Sequence, residues 1–569
     1  MALGSAPSGP FPSRQEIPIP GPVSQPGRSR WPIALAVAAA AVAYVYGLDS
    51  INAPTIGDES LYLQIARVTA QSGHLLPLRA ESGIYNTKPP LLFWQGILST
   101  GFGSAWDLWR LRLPIVAPSL LTAAVVAMLA RRLSGRDAAL RAGLVYLGFL
   151  STMQHGRPFL TNAGETLFLF LPLALVMGRS VTGPALGVAC GLSLGVAALY
   201  KSFFLVIPGT FALALVLLRR DGWSPGLFLR RRAAFLAIAA FLGLLVFGLW
   251  PALDPRPELI WSQFIVGENA SKFHLGEFVS GMFQGDSAIW EIWLGDLKNA
   301  GAYVPLLLAL LWDLWRRRRA LPEAEAELWL YVLAFLLVYS LPTQRQPNYL
   351  LPTMAALAVL LALRWDELPR LAFQVTLAVL AVAGLAVPVF EWLVSRRLGI
   401  PVFTVTARLL PIALGILAIG GLWRPAFGRA ALPYLVLLAL MVGSAVVAPF
   451  PGPFPEAALA EVRGKTVLVP DRFAQSQERY RFLLPGVDVK GYPCAVGPTA
   501  CPAPPASRGL HAAIVLDTDQ PLPPGYERVA ASPHFKGRQT TAEILEILGG
   551  RLELLVEWLV LARPAAGQP

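Results

Sequence analysis

Carboxylates are scarce in this chain, with 35 Asp and Glu in 569 residues, so their placement is informative. Two stand side by side in Gly57-Asp58-Glu59-Ser60-Leu61-Tyr62. Leu61, Ile65 and Val68 then recur at roughly helical spacing, which predicts an amphipathic helix on a membrane interface with the acidic pair at its N-terminus. An aspartate there has two uses. It can cap the helix by accepting from backbone N–H groups, or it can take a proton from a hydroxyl within hydrogen-bond reach. Further on, Tyr85-Asn86-Thr87-Lys88-Pro89-Pro90 opens an apolar run over 90–104 with Trp94 as an interfacial anchor. Lys88 can hold a lipid phosphate or simply snorkel to headgroups. A third polar cluster carries Glu268, Asn269, Lys272 and His274, then Glu277, Asp286, Glu291 and Asp296. It either covers a substrate site, as mobile loops commonly do, or is solvated surface.

Composition names the scaffold that must position these groups. Charged residues make up 14% of the chain and hydrophobic residues 55%, with a mean hydropathy of +0.54. Soluble domains carry about 25% charge, so this is a polytopic α-helical membrane protein. The net charge of +12 and pI near 9.8 would suggest nucleic acid in a soluble chain. Here the basic residues cluster between apolar runs, as the orientation rule for membrane proteins expects, and no nucleic-acid partner is expected. Three cysteines are too few for a Cys-rich metal module. Cys190 sits inside an apolar run and reads as inert packing. Cys494 and Cys501, six residues between them, can form a disulfide if their Pro/Gly-rich loop faces an oxidising compartment.

Residues 1–30, rich in Pro, Gly and Ser with Arg14, Arg28 and Arg30, read as a disordered cytoplasmic tail. The tail is too polar for a signal peptide, so the first apolar run is a retained anchor. About thirteen runs are candidate spans: 31–47, 113–130, 138–154, 165–178, 183–200, 202–218, 233–252, 301–315, 326–341, 349–363, 370–392, 407–422 and 431–449. The stretch 183–218 is too long for one helix. Lys201 at its midpoint is costly in hydrocarbon, which divides the stretch there and puts Lys201 at an interface. Threaded from an inside N-terminus, one side collects Arg131, Arg132 and Arg136, then Arg219, Arg220 and Arg230 to Arg232, then Arg316 to Arg319, and later Arg364, Arg370, Arg424 and Arg429. The other side is poor in such clusters except for Arg396 and Arg397. An odd span count places the C-terminus outside. Loops 48–112 and 253–300 and the region 451–569 then share the outer face. Strand-like runs at Thr466–Pro470, Ala512–Leu516 and Leu552–Val560 suggest that 451–569 is a small periplasmic α/β domain, with either a substrate-binding or a packing role.

Read in order, Gly-Asp-Glu-x-x-Tyr, Tyr-x-x-Lys-Pro-Pro-Leu, Arg-Leu-Pro (Arg112 to Pro114) and Ala-Arg-Arg-Leu-x-Gly (Ala130 to Gly135) resemble the GT-C glycosyltransferases. The likeness is strongest to the aminoarabinose-transferase and protein O-mannosyltransferase-like branch. It continues through Gly156-Arg157, Leu199-Tyr200-Lys201 and Gly267-Glu268-Asn269 to Arg345 and Asn348-Tyr349-Leu350-Leu351-Pro352. The resemblance covers roughly 31–450, implying a GT-C-like transmembrane catalytic domain there. It implies an inverting enzyme of the bacterial inner membrane that moves a sugar from a polyprenyl-phosphate donor to a lipid, glycan or protein acceptor on the outer side. It also implies that Asp58, with Glu59 beside it, is the catalytic carboxylate, and that Lys88, Lys201, Arg345 and Tyr349 bind the donor phosphate. Tyr62 and Tyr85 match tyrosines that line the donor site, and Glu268 and Asn269 match a family motif.

Two departures qualify the match. The family's second acidic residue, before the fourth span, falls near Thr161-Asn162, so either Glu165 replaces it or Asn162 orients the acceptor by hydrogen bonds. The acidic residue that often precedes Lys-Pro-Pro is Thr87 here, which leaves His274 without a partner carboxylate for a divalent metal, so no metal or other cofactor is expected. A transporter or flippase of lipid-linked sugars is the alternative from another class, although transporters place ionisable groups within their spans and repeat their halves. A divergent noncatalytic scaffold presenting the C-terminal domain would leave the ordered motifs unexplained.

Overall fold

The computed structural model describes residues 31–51, 58–177, 183–269, 282–283, 285, 287–398, 403–447, 454–471, 475–494, 501–504, 510–517, 520–536 and 539–565. The tail 1–30 and Lys272, His274, Glu277 and Asp286 lie outside them. Each of the thirteen expected runs is helical over most of its described residues. The helices are Trp31–Val45, Leu108–Ser134, Arg136–Gly148, Asn162–Val176, Pro184–Tyr200, Phe203–Arg220, Pro225–Leu253, Val304–Arg317, Glu323–Tyr339, Leu351–Arg364, Arg370–Leu398, Val405–Trp423 and Pro425–Val447. Among the described residues, seven helices are long and apolar enough to cross a membrane, and three shorter apolar helices begin at Pro32, Asn162 and Pro184.

Local chemistry sets the breaks. Gly135, at φ +89°, separates Leu108–Ser134 from Arg136–Gly148 in a conformation that a side chain would resist. The expected split at Lys201 is present. Pro184–Tyr200 ends there, and the Ser202 hydroxyl starts the next helix by accepting from the Phe204 N–H at 3.1 Å. The apolar run 90–104 is helical only over Leu91–Ser99, because the chain turns at Gly101 and Gly103 with φ of +57° and +82°.

Helix Leu351–Arg364 is the centre of the bundle, with every residue from Leu351 to Ala362 buried. Pro225–Leu253, by contrast, buries only Arg232, Phe235, Ala239 and Trp250. It packs closely on Pro184–Tyr200 through small residues four apart: a Cβ on Gly191 would stand 2.7 Å from the Ala239 carbonyl, and one on Gly195 2.6 Å from Val246. At one end of the bundle the arginine-rich loops meet acidic partners. Arg220 pairs with Glu327 at 2.7 Å, Arg317 with Glu325 at 3.0 Å, Arg364 with Asp313 at 3.4 Å and Arg141 with Asp366 at 2.7 Å. Helix Phe203–Arg220 runs from this end back to Lys201, so the basic end and the Lys201 end are opposite.

The C-terminal region builds a five-stranded mixed sheet from β3 (Thr466–Asp471), β4 (Asp488–Pro493), β5 (His511–Asp517), β6 (Tyr526–Phe535) and β7 (Val556–Pro564), in the order β4-β3-β5-β7-β6. β3 is parallel to β4 and β5, and β7 is antiparallel to β5 and β6. A small hairpin in the first loop supplies β1 (Arg79–Ala80) and β2 (Gly83–Ile84). Two of the three strand-like runs are strands. In the third, Leu552–Leu555 is a helical turn and the strand starts only at Val556. β4 and β6 lack a strand-like pattern in sequence, since Lys490 and Gly491 in one, and Ser532 and Pro533 in the other, interrupt apolar alternation. Cys494 and Cys501 are joined in a disulfide and Cys190 is buried and free.

Candidate functional site

Asp58 immediately precedes helix Glu59–Gln71, and its backbone carbonyl accepts from the Tyr62 N–H at 2.9 Å. Its carboxylate makes no capping hydrogen bond. The Tyr62 hydroxyl donates to Asp58 Oδ2 at 3.4 Å instead. Glu59, one residue on, is buried and fully engaged. Arg112 Nε and Nη2 clamp it at 2.7 and 2.8 Å, and the Phe159 N–H donates to it at 2.8 Å. Arg112 Nη1 donates to the Leu48 carbonyl at 3.0 Å and to that of Ser50. The adjacent carboxylates thus differ: Glu59 is tied into the fold, while Asp58 meets the Tyr62 hydroxyl.

A cavity of about 890 Å3, open at its mouth, lies at the Lys201 end. Its polar lining includes Lys88, Lys201, Glu268, Asn269, Tyr339 and Tyr349, and Phe204, Ile207 and Leu341 contribute to an apolar wall. Lys88 arrives from the first loop and pairs with Glu268, on the π-helix Ile260–Asn269. Asn269 fixes that helix against the Lys201 turn, accepting from Ser202 Oγ at 2.9 Å and donating to the Phe264 carbonyl at 2.7 Å. Lys201 Nζ stands 3.7 Å from Glu165 Oε2, beyond hydrogen-bond length, and 5.2 Å from the Tyr349 ring centroid. Burial works against its charge, but Glu165, then Tyr349 and Asp58, outweigh that and raise its pKa above the ordinary lysine value. Asp58 is thus within electrostatic reach of Lys201, although it is not among the residues that line the cavity.

Tyr62 and Tyr85 pack edge-on against Phe93 at 5.6 and 6.3 Å. Burial first, then the charge of Asp58, lifts the Tyr62 phenol well above its usual range. Burial likewise raises Tyr85, which Thr87 opposes by hydrogen bonding. Both stay protonated and can donate. Asn162 opens helix Asn162–Val176 and is buried, and Glu165 lies one turn further along. Gly164 between them is required by packing, since a Cβ there would lie 2.2 Å from the Tyr200 ring.

Arg345 is the clearest difference from expectation. It is fully buried, with Nε donating to the Ser340 carbonyl at 3.1 Å and Nη1 to that of Ser287 at 3.0 Å, and it is outside the described lining of the cavity. Sequence reasoning did not find Tyr339, Ser202 or Gly164. Their signals were an aromatic in the last turn of a span, a hydroxyl beside a break, and a glycine inside a helix's first turn. Among the described residues no three His, Cys, Asp or Glu side chains cluster as a metal set.

A second, apolar groove of about 1450 Å3 runs between helices Pro184–Tyr200, Phe203–Arg220 and Pro225–Leu253, with Phe211, Phe235 and Phe247 in its lining. Ile207 belongs to both groove and cavity.

No family model matches the chain. It is 29% identical over 421 residues to the undecaprenyl phosphate-alpha-4-amino-4-deoxy-L-arabinose arabinosyl transferase of Pseudomonas aeruginosa, covering 68% of this chain and 71% of that one. It is 27% identical over 323 residues to the corresponding transferase 2 of Proteus mirabilis, covering 54% of each. Its fold is similar to the crystal structure of ArnT from Cupriavidus metallidurans bound to undecaprenyl phosphate, with a TM-score of 0.60, 20% identity, and 81% of this chain and 85% of that one covered. The chain is thus similar in sequence to aminoarabinose transferases that use undecaprenyl phosphate, and it shares the fold of ArnT.

Proposed function

We propose that this enzyme moves a sugar from a polyprenyl-phosphate donor to a hydroxyl of a lipid, glycan or protein acceptor, with inversion, at the outer boundary of the bacterial inner membrane. The observation that carries the reading is the meeting of Lys88 and Lys201 with Tyr349 in one cavity within the field of Asp58. The donor's anomeric carbon–oxygen bond breaks with its electrons going to the phosphate. That developing charge needs cations rather than a proton donor, and Lys88 and Lys201 are placed to supply them. Asp58 takes the acceptor's proton as the new glycosidic bond forms. The apolar groove that shares Ile207 with the cavity suits the isoprenoid tail. The undecaprenyl phosphate in the names of the relative and of the structural neighbour supports this donor class.

Within this reading Glu59 and Arg345 hold the fold, and Asn162 or Glu165 orients the acceptor. Tyr62 and Tyr85 line the donor's path, and Glu268 and Asn269 set the position of Lys88 and Lys201. The thirteen helices span the membrane with the arginine-rich end and residues 1–30 cytoplasmic. Domain 31–450 catalyses, and 451–569 lies in the periplasm, where the Cys494–Cys501 disulfide is at home. Purified protein given a radiolabelled polyprenyl-phosphate sugar and cell-envelope lipids tests the proposal. Transfer by the wild type and none by Asp58→Asn supports it, and equal turnover removes Asp58 from the mechanism. Comparative mass spectrometry of envelope glycolipids with and without the gene identifies sugar and acceptor.

A further inference from the structure

The helix that begins at Asp58 is held at two places, and the second belongs to the C-terminal region. At its first turn Glu59 is clamped by Arg112 of helix Leu108–Ser134. Two turns later Arg67 Nε and Nη2 reach Glu478 at 2.7 and 2.9 Å, and the Glu478 side chain is completely buried. Gln64, a turn earlier, donates to Gln475 at 3.0 Å. Gln475 adopts φ +59°, left-handed for a non-glycine residue, just before the short helical turn that presents Glu478. Glu81, on the β1–β2 turn, accepts from Arg67 at 2.6 Å and from Gln477 and Arg481 at 3.3 and 3.4 Å. Arg481 also donates to Glu478 at 3.1 Å. Arg479 reaches the Ile51 carbonyl at 3.4 Å and lies in the field of Glu59 and Arg112, so the two holding points adjoin.

We propose that segment 475–481 is a polar lock that fixes the helix carrying Asp58, which makes Glu478 and Arg67 positioning residues for transfer. This rests on the reading of Asp58 as base. A domain that merely packs on its neighbour has no need of a desolvated carboxylate shared between two arginines from different regions. Such a carboxylate costs stability unless both partners stay in register, so it enforces one geometry. A catalytic group displaced by about 1 Å can lose about a hundredfold in rate, and the lock prevents that displacement.

The test uses full-length protein in nanodiscs, with Glu478→Gln and, from the other side, Arg67→Gln, which leaves Glu478 its Arg481 partner. Both variants should lower kcat about tenfold with the donor KM within about twofold. Both should also speed amide exchange over 59–66 while exchange in β5 and β7 stays at the wild-type level. Unchanged turnover in both variants overturns the lock. So does lowered turnover with unchanged exchange over 59–66, or faster exchange without loss of turnover. Asp58→Asn separates this from the underlying reading, because it should abolish transfer without altering exchange over 59–66. If Asp58→Asn stays active, the base assignment falls on its own while the exchange result still judges the lock.

Discussion

Two acid–base pairs in this molecule, Glu59–Arg112 and Glu165–Lys201, are made from similar parts and built in opposite ways. Glu59 receives three hydrogen bonds, and the arginine that clamps it spends its remaining nitrogen on two backbone carbonyls. That pair is closed and holds two elements together. Glu165 and Lys201 stand 3.7 Å apart, and Lys201 faces a cavity and a tyrosine ring rather than a ring of carbonyls. That pair is open, and its cation borders the cavity. Full satisfaction marks structure, and incomplete satisfaction at a cavity wall marks chemistry.

The largest effect should come from Asp58, the proposed base. Asp58→Asn should lower transfer about a thousandfold or more, measured with purified enzyme, while its unfolding temperature in detergent stays near wild type. Breaking the closed pair should do the reverse. Glu59→Gln leaves Arg112 buried without its counter-ion, a cost of about 3–5 kcal/mol, so the unfolding temperature should fall sharply. Donor KM in the folded fraction should hold. Opening the other pair should tell in binding. Lys201→Ala and Lys88→Ala each remove a charged contact to the phosphate of about 1.5–3 kcal/mol, so donor affinity should drop about ten- to hundredfold, and unchanged affinity in both would remove the phosphate role. Gly164→Ala is milder. Overpacking against Tyr200 costs about 1–3 kcal/mol and should weaken donor binding severalfold by shifting the adjoining Lys201.

The smallest effect is a pH dependence. Asp296 is buried, accepts from Thr353 at 2.6 Å, and has its pKa raised by burial from 3.8 to about 7 against that hydrogen bond. The folded state binds this proton more tightly than the unfolded state. The stabilisation is therefore complete below about pH 4 and lost as pH rises through about 7. The unfolding temperature of the wild type should fall over that window more than that of Asp296→Asn, which keeps the Thr353 contact.

Much of the helical architecture was legible because a bilayer permits few solutions. A run such as 407–422 must be a helix, and a lysine between two such runs must be a break. The site was legible in part, as Lys88, Lys201, Glu268, Asn269 and Tyr349 were named from motifs and share a wall. The contacts of Arg345 were not legible, because an arginine beside a tyrosine motif looks the same in sequence whether its donors meet a ligand or the carbonyls of Ser340 and Ser287. Glu59 and Asp58 were inseparable for the same reason, since adjacent residues on a helix end point to different neighbours. The C-terminal strands were only partly visible. β6 carries Pro533 and a register shift between Arg528 and Ala530, which blur the two-residue period.

What the amino-acid order carried was a membrane-embedded helical fold, its breaks, and the opposition of an arginine-rich end to a lysine-bearing end. These follow from local rules, hydropathy over one span and charge within one loop, which need no knowledge of distant neighbours. Folding alone settled that Glu59 rather than Asp58 is clamped by Arg112, and that residues 475–481 reach back to the helix begun at Asp58. Those outcomes depend on contacts between residues hundreds of positions apart, where a side chain's role is set by the partners folding brings within about 3 Å.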